Sequence, residues 1–459
     1  MSETTNRRLT ARVAGMVILT GFAATVWLNW PGHLSYDSIL QLAQGRTGVY
    51  STWHPPVMAW LLGMGDAVVP GTGLFVVFQA MLAFGALAGV LLLAPERAGW
   101  SAAAMAVAIV LSPQLLIYQG IVWKDVLFAD AGVAGFVCLA LAAKIWDAPR
   151  RRWPLLSGSS LLLALAALAR QNGLLLLPFA AIALGWIAAC KGRPRIAAAL
   201  LGGGYLVALV LFVFGVSLLL NLRSDGESGP VEQFRLLQVY DLAGAVAREP
   251  DFPLPALADD DPELEQALRQ NSARLFTPVR NDPLASAPAM QGPMNTLDDD
   301  ALGADWWSLV LRHPWLYLKI RAADFAWVAF TPDIVACRPV FTGIEGPADV
   351  LRGLGMAPRR DARDLALERY GKAFLGTPVL SHIPFAITAI AGIWLLLRRR
   401  RAADIAMAAM LGGALAFAAS FFAISISCDY RYLYALDLSA MVALLYLALE
   451  PKSVFEAGP

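Results

Sequence analysis

Charge is scarce in this sequence. Asp, Glu, Lys and Arg make up 15% of 459 residues and nearly cancel, leaving a net charge of +1. A water-soluble domain carries about a quarter of its residues charged, so an ordinary solvated surface is excluded. The near-zero balance also leaves no basic footprint for nucleic acid. Cysteine is scarce too: Cys138, Cys190, Cys337 and Cys428 form no CxxC pair and no zinc spacing. Cys138 and Cys190 fall in apolar runs and read as small core residues. Cys337 and Cys428 fall in polar segments read as lying on one side, where a disulfide and two separate thiols both fit the sequence. The four histidines show no HExxH and no paired spacing, so no histidine metal site is legible. A P-loop, a nucleophile elbow and a GxGxxG turn are all missing.

Apolar length is what the chain has instead. Hydrophobic residues reach 58%, and ten runs could each form a span: 13–30, 74–94, 101–118, 126–146, 155–169, 174–190, 196–221, 379–397, 403–426 and 432–449. The expected fold is an all-α polytopic membrane protein of about ten transmembrane helices, with an extracytoplasmic insertion between spans seven and eight. Arg7, Arg8 and Arg12 precede the first run, which ends in Leu28, Asn29, Trp30 and Pro31 without a small-residue cleavage pattern. It reads as a retained anchor with a cytoplasmic N-terminus. With that orientation, Arg97, Arg150 to Arg152, Lys191, Arg193, Arg195 and Arg398 to Arg401 all fall on the inside, and the C-terminus is cytoplasmic as well. The fifth run is short, and a re-entrant pair with the sixth would leave the downstream orientation unchanged.

Three regions follow: a membrane core over 1–221 with its first outer loop at 31–73, an extracytoplasmic insertion over 222–378, and the final spans over 379–459. From 222 to 304 there are fifteen Asp or Glu against six Arg and no Lys, with little periodicity. A small irregular domain, partly mobile, is expected there. From 305 to 330, WWSLVLRHPWLYLKIRAADFAWVAF follows Asp305 and mixes Trp, Tyr and cations with aliphatics. That pattern predicts one amphipathic helix on the outer leaflet, with Lys319 and Arg321 as leaflet contacts.

The unusual chemistry gathers in the outer segments. Asp37 lies in PGHLSYDSILQLAQGRTGVYSTWHPP, Pro31 to Pro56. It reads either as a helix cap or solvated acid, or as a general base on an acceptor hydroxyl at the membrane surface. His54 in WHPP is a turn residue stacked on Trp53, or a group that hydrogen-bonds substrate or orients Asp37. Lys124 and Asp125 open the fourth span as an interfacial anchor and a cap, or Lys124 contacts a lipid phosphate. Asp130 lies deeper, where an acid is expensive and a functional candidate. Arg170 and Asn172, in RQNG, form a plain turn or meet an anion. Asp429 and Arg431, in SCDYRYLY, pair with each other, or Arg431 clamps phosphate with its planar fork.

SYDSILQLAQG followed by WHPP, with WKDVLFAD, LARQNGLLLLP and CDYRYLY further on, resembles the GT-C superfamily of polytopic glycosyltransferases. The resemblance covers most of the span pattern. It implies a polyprenyl-phosphate-linked sugar donor, an acceptor of unstated kind, and a catalytic acid in the first outer loop, which falls on Asp37. The family often shows a second acid near the start of that loop; this chain shows Asp37 alone. A divalent cation is therefore left open, with no clear ligand set. The expected activity is sugar transfer on the outer face of a bacterial inner membrane, with Asp37 and His54 catalytic. Trp53, Lys124, Asp125, Arg170, Asn172, Asp429 and Arg431 would contact substrate. A flippase of a lipid-linked saccharide and a non-catalytic membrane scaffold are the alternatives.

Overall fold

The computed structural model describes residues 3–224 and 229–450. The side chains of 3–8, which include Arg7 and Arg8, and of Arg97 lie outside that description, as do 225–228 within the insertion and the C-terminal residues from 451. Among the described residues the structure is helical, with isolated β-bridges and no strand.

The first span is the apolar part of α1 (Glu3–Asn29). The first outer loop is largely helical, a pair formed by α2 (Tyr36–Thr47) and α3 (Val57–Val68). α4 (Gly73–Leu91) is the second span. The third is broken: α5 (Trp100–Val110) stops before Ser112, and α6 (Pro113–Leu116) begins a segment running to Gly120 that is bent from α5 by 59°. Pro113 has no N–H to continue a helix and disfavours helical backbone at Ser112, which is extended. α7 (Lys124–Lys144), α8 (Pro149–Ala169), α9 (Leu176–Cys190) after a 3-10 turn at Gln171–Leu175, and α10 (Arg195–Asn221) follow as spans.

The insertion holds α11 (Gly229–Arg248), α12 (Pro255–Asp260), α13 (Pro262–Leu275), α14 (Asp282–Ala285), α15 (Pro288–Asn295), α16 (Asp299–Arg312), α17 (Pro314–Phe330) and α18 (Ile334–Cys337). Two short helices, α19 (Ala348–Gly353) and α20 (Ala362–Lys372), precede the spans α21 (His382–Arg399), α22 (Ala402–Ile424) and α23 (Tyr434–Ala448). Nine helices are long and apolar enough to cross a membrane among the described residues, or ten if the bent pair is one span. The runs read as fifth and sixth are two such helices, Pro149–Ala169 and Gln171–Cys190, and the broken span is the third.

The chain divides into two compact units, one formed by 1–225, 340–418 and 433–459, the other by 226–339 and 419–432. In the first, α7 is the central post: nearly all its residues from Asp125 to Ala143 are buried.

The second unit corrects two sequence expectations. Its acidic part is a packed helical body. Val239, Leu242, Leu257, Leu264, Leu268, Leu302, Leu309 and Ile320 form its core. Several acids start helices: Asp261 accepts from Leu264 N–H and Asp298 from Ala301 N–H, which satisfies donors a helix start leaves open. The stretch from 305 to 330 is two helices broken at His313–Pro314. Arg321 is no leaflet contact; it is fully buried, paired with Asp241 and donating to the Ser425 carbonyl at 2.7 Å.

Asp324 lies 3.5 Å from Arg321, and burial pushes its carboxyl up to about 7. A raised acid pKa means the folded state binds the proton more tightly than the unfolded one. The protonated acid therefore favours folding at low pH, and this contribution is lost as pH rises from about 4 through about 7. Relative to Asp324→Asn, the natural protein is expected to lose up to about 1.4 kcal/mol per pH unit across that window, measured as the difference between the two unfolding midpoints.

Cys337 and Cys428 form a disulfide across 91 residues. Replacing both by serine is expected to lower stability by about 2 to 5 kcal/mol, seen as a fall in Tm that reductant reproduces in the natural protein.

Candidate functional site

The site starts with how its loop is held. After α1, backbone pairing inserts His33 and Leu34 between two distant segments. His33 N–H donates to the Gly120 carbonyl at 2.8 Å, and Val122 N–H donates to His33 at 3.0 Å. Leu34 N–H donates to Gly343 at 2.9 Å, and Glu345 N–H donates back to Leu34 at 2.9 Å. The buried His33 ring extends this framework. Gly343 N–H donates to Nδ1 at 2.9 Å, so the ring proton sits on Nε2 and is given to Asn29 Oδ1 at 2.8 Å. Burial lowers the His33 pKa to about 4, which keeps the ring neutral in this role. Sequence reasoning passed over His33. The available signal was that two of only four histidines fall in one short loop.

Ser35 caps α2 by backbone geometry alone; its hydroxyl accepts from Trp123 Nε1 at 2.8 Å. Ser38 Oγ donates to the Val122 carbonyl at 2.5 Å. Asp37 therefore lies inside the first turn of α2 and is not its cap, which removes the capping alternative. At that end the helix dipole favours its negative charge. α2 and α3 touch where Gly45 meets Gly63; a Cβ on Gly45 would strike the Ala59 carbonyl oxygen. Arg46 clamps Asp66 with two hydrogen bonds of 2.7 and 2.8 Å and holds that carboxyl below its ordinary range. The connecting loop is tied at Tyr50, whose N–H donates to the Arg223 carbonyl at 3.0 Å.

That geometry brings His54 to the start of α7. Lys124 Nζ lies 2.8 Å from His54 Nδ1, and His54 Nε2 lies 3.7 Å from Asp37 Oδ1. Lysine has donors only, so Nδ1 accepts and the ring proton is assigned to Nε2, the nitrogen facing Asp37. The next residue, Asp125, pairs with Arg170, which caps the C-terminal end of α8. Asp125 and Arg170 expose only 3% and 11% of their side chains, so this is a largely desolvated pair. Arg170 also lies over the Phe417 ring at 5.8 Å. Two sets of contacts thus meet at the start of α7, Asp37–His54–Lys124 and, from the adjacent residue, Asp125–Arg170. Asp37 keeps 26% of its side chain exposed and His54 15%, an edge accessible to substrate.

Trp53 is exposed beside His54, and Asn172 sits half-buried in the 3-10 turn two residues after Arg170. Asp429 and Arg431 belong to the second unit, where Arg431 Nε donates to Asp429 Oδ2 at 2.9 Å; their mutual pairing is the reading present. Asp130 is fully buried and accepts from Gln119 Nε2 at 2.8 Å, in a network with Tyr434 beneath the bent segment. Among the described residues no group of three His, Cys, Asp or Glu side chains is placed to hold a metal ion.

No family model and no curated protein sequence matches the chain. Several solved structures are similar to it. The archaeal oligosaccharyltransferase AglB of Archaeoglobus fulgidus, in complex with an inhibitory peptide and a dolichol-phosphate, is 16% identical with a TM-score of 0.41, over 94% of this chain and 50% of that one. The apo form of the oligosaccharyltransferase from that organism gives 16% and 0.42 over the same shares. ArnT from Cupriavidus metallidurans, bound to undecaprenyl phosphate, is 12% identical with a TM-score of 0.32, over 95% of this chain and 77% of that one. The chain thus spans about half the length of the archaeal enzyme. At these identities and scores the likenesses are loose, and the chemistry of the site rests on this chain's own residues.

Proposed function

We propose that this multi-pass membrane protein is a glycosyltransferase, which moves a sugar from a polyprenyl-phosphate donor to an acceptor hydroxyl on the extracytoplasmic face. One observation carries the reading: an accessible carboxylate, Asp37, is joined through His54 to Lys124, beside the Arg170–Asp125 pair. Asp37 takes the proton of the acceptor hydroxyl as its oxygen attacks the anomeric carbon. The bond from that carbon to the donor phosphate breaks, and its electron pair leaves with the phosphate. Lys124 and Arg170 are the cations that stabilise the negative charge growing there. His54, held by Lys124, steers Asp37, and Trp53 offers an aromatic face for a sugar ring.

The basic clusters between spans support an inner-membrane placement with the first outer loop outside. The Cys337–Cys428 disulfide supports an oxidising compartment for the second unit. The deciding experiment incubates the purified protein, reconstituted in vesicles, with a labelled polyprenyl-phosphate sugar and candidate acceptors. A transferase releases polyprenyl phosphate and labels the acceptor. A flippase moves the intact donor across the bilayer and cleaves nothing, and that result would replace the transferase reading.

A further inference from the structure

A recess lies at the basic ends of α8, α9 and α10, far along these helices from Arg170 and its neighbours. It encloses about 310 Å³. Arg152 and Arg193 line it, and no Asp or Glu does. The Arg152 guanidinium is fixed in place: it donates to the Trp146 carbonyl at 2.8 Å and lies 4.7 and 5.4 Å from the Trp146 and Trp153 ring centres. Its Nε is buried and makes no hydrogen bond. Deeper in, Ser160 Oγ and Tyr205 Oη lie 3.3 Å apart. Leu156, Leu184, Leu200 and Leu201 make the rest of the wall apolar. Gly204 keeps one side open, since a Cβ there would meet nothing within 4 Å.

Cations at the rim, tryptophans beside them, hydroxyls below and leucines beyond follow the order of polarity in a phospholipid. We propose that this recess is a binding site for an anionic phospholipid of the leaflet at the basic ends of the spans. Its phosphate sits between Arg152 and Arg193, its ester region faces Ser160 and Tyr205, and one acyl chain follows the leucines. A zwitterionic lipid carries its own cation to the same rim and gains less there. The site is independent of the transfer reaction.

The test uses the full-length protein in detergent, with lipid retention read by native mass spectrometry and by thermal shift. Phosphatidylglycerol is expected to be retained and to raise Tm, phosphatidylcholine to do so weakly, and inorganic phosphate not at all. Arg152→Gln with Arg193→Gln is expected to weaken phosphatidylglycerol binding about 25-fold, at about fivefold per cation near the headgroup. Gly204→Leu fills the apolar side, keeps both cations, and is expected to lose the lipid as well; it decides the matter if the double variant does not fold. Equal retention of the two lipids, phosphatidylglycerol kept by the folded variants, or a matching shift from inorganic phosphate would each overturn the proposal.

Discussion

Asp37→Asn is expected to lower sugar transfer about 10³-fold while donor binding stays within a few-fold of the natural protein. General-base catalysis by a positioned carboxylate contributes about 10² to 10⁴, and an amide of the same shape cannot accept the proton. The fold gives this variant a clean background. Ser35, not Asp37, caps α2, so the substitution keeps the cap and the side-chain shape facing His54, and removes a favourable charge near a helix start worth about 0.3 to 1 kcal/mol. The protein should therefore still express, insert and unfold near its normal temperature. The measurement separates kcat from the donor's Kd, and the signature is a collapse of kcat alone. A fully active Asp37→Asn protein would leave the first outer loop without its assigned chemistry.

Arg170→Gln is expected to be the most destabilising single change at the site, by about 3 to 5 kcal/mol, because it strands the Asp125 carboxylate in a nearly closed position. Asp125→Asn strands the guanidinium in the same way. The double variant removes both charges and should recover much of the loss, so the cycle is strongly non-additive. Thermal unfolding of the four proteins reads this directly; additive losses would mean that the two side chains do not act as a pair. The double variant also isolates function. It should be folded yet slow, since the phosphate would lose one of the two cations assigned to it.

The spans were legible because bilayer thickness imposes a length that hydropathy reports without tertiary information. The break in the third was legible only in part. Ser112–Pro113 marks a weak point, but whether a proline kinks a helix or divides it depends on what packs around it. In the second unit the sequence was misleading for a definable reason. Acids such as Asp261 and Asp298 look like solvation, whereas they start helices whose apolar faces are short and interrupted. Arg321 looked like an interfacial cation because its buried partner, Asp241, lies 80 residues earlier. The candidate residues of the site could be picked out by type, but not their order of contact. Nothing in WHPP announces that Lys124, 70 residues on, fixes the tautomer of His54.

The four backbone bonds around His33 and Leu34 set unequal tolerances on either side of Asp37. Between Leu34 and Asp37 an extra residue would swing the carboxylate by about 100° around α2, away from the imidazole. At Gly48 and the exposed Val49, ahead of the Tyr50 tie that keeps Trp53 and His54 in place, added residues would be absorbed at the surface. Natural or engineered length changes in this stretch should therefore collect at positions 48 and 49, and a graft meant to alter acceptor choice belongs there.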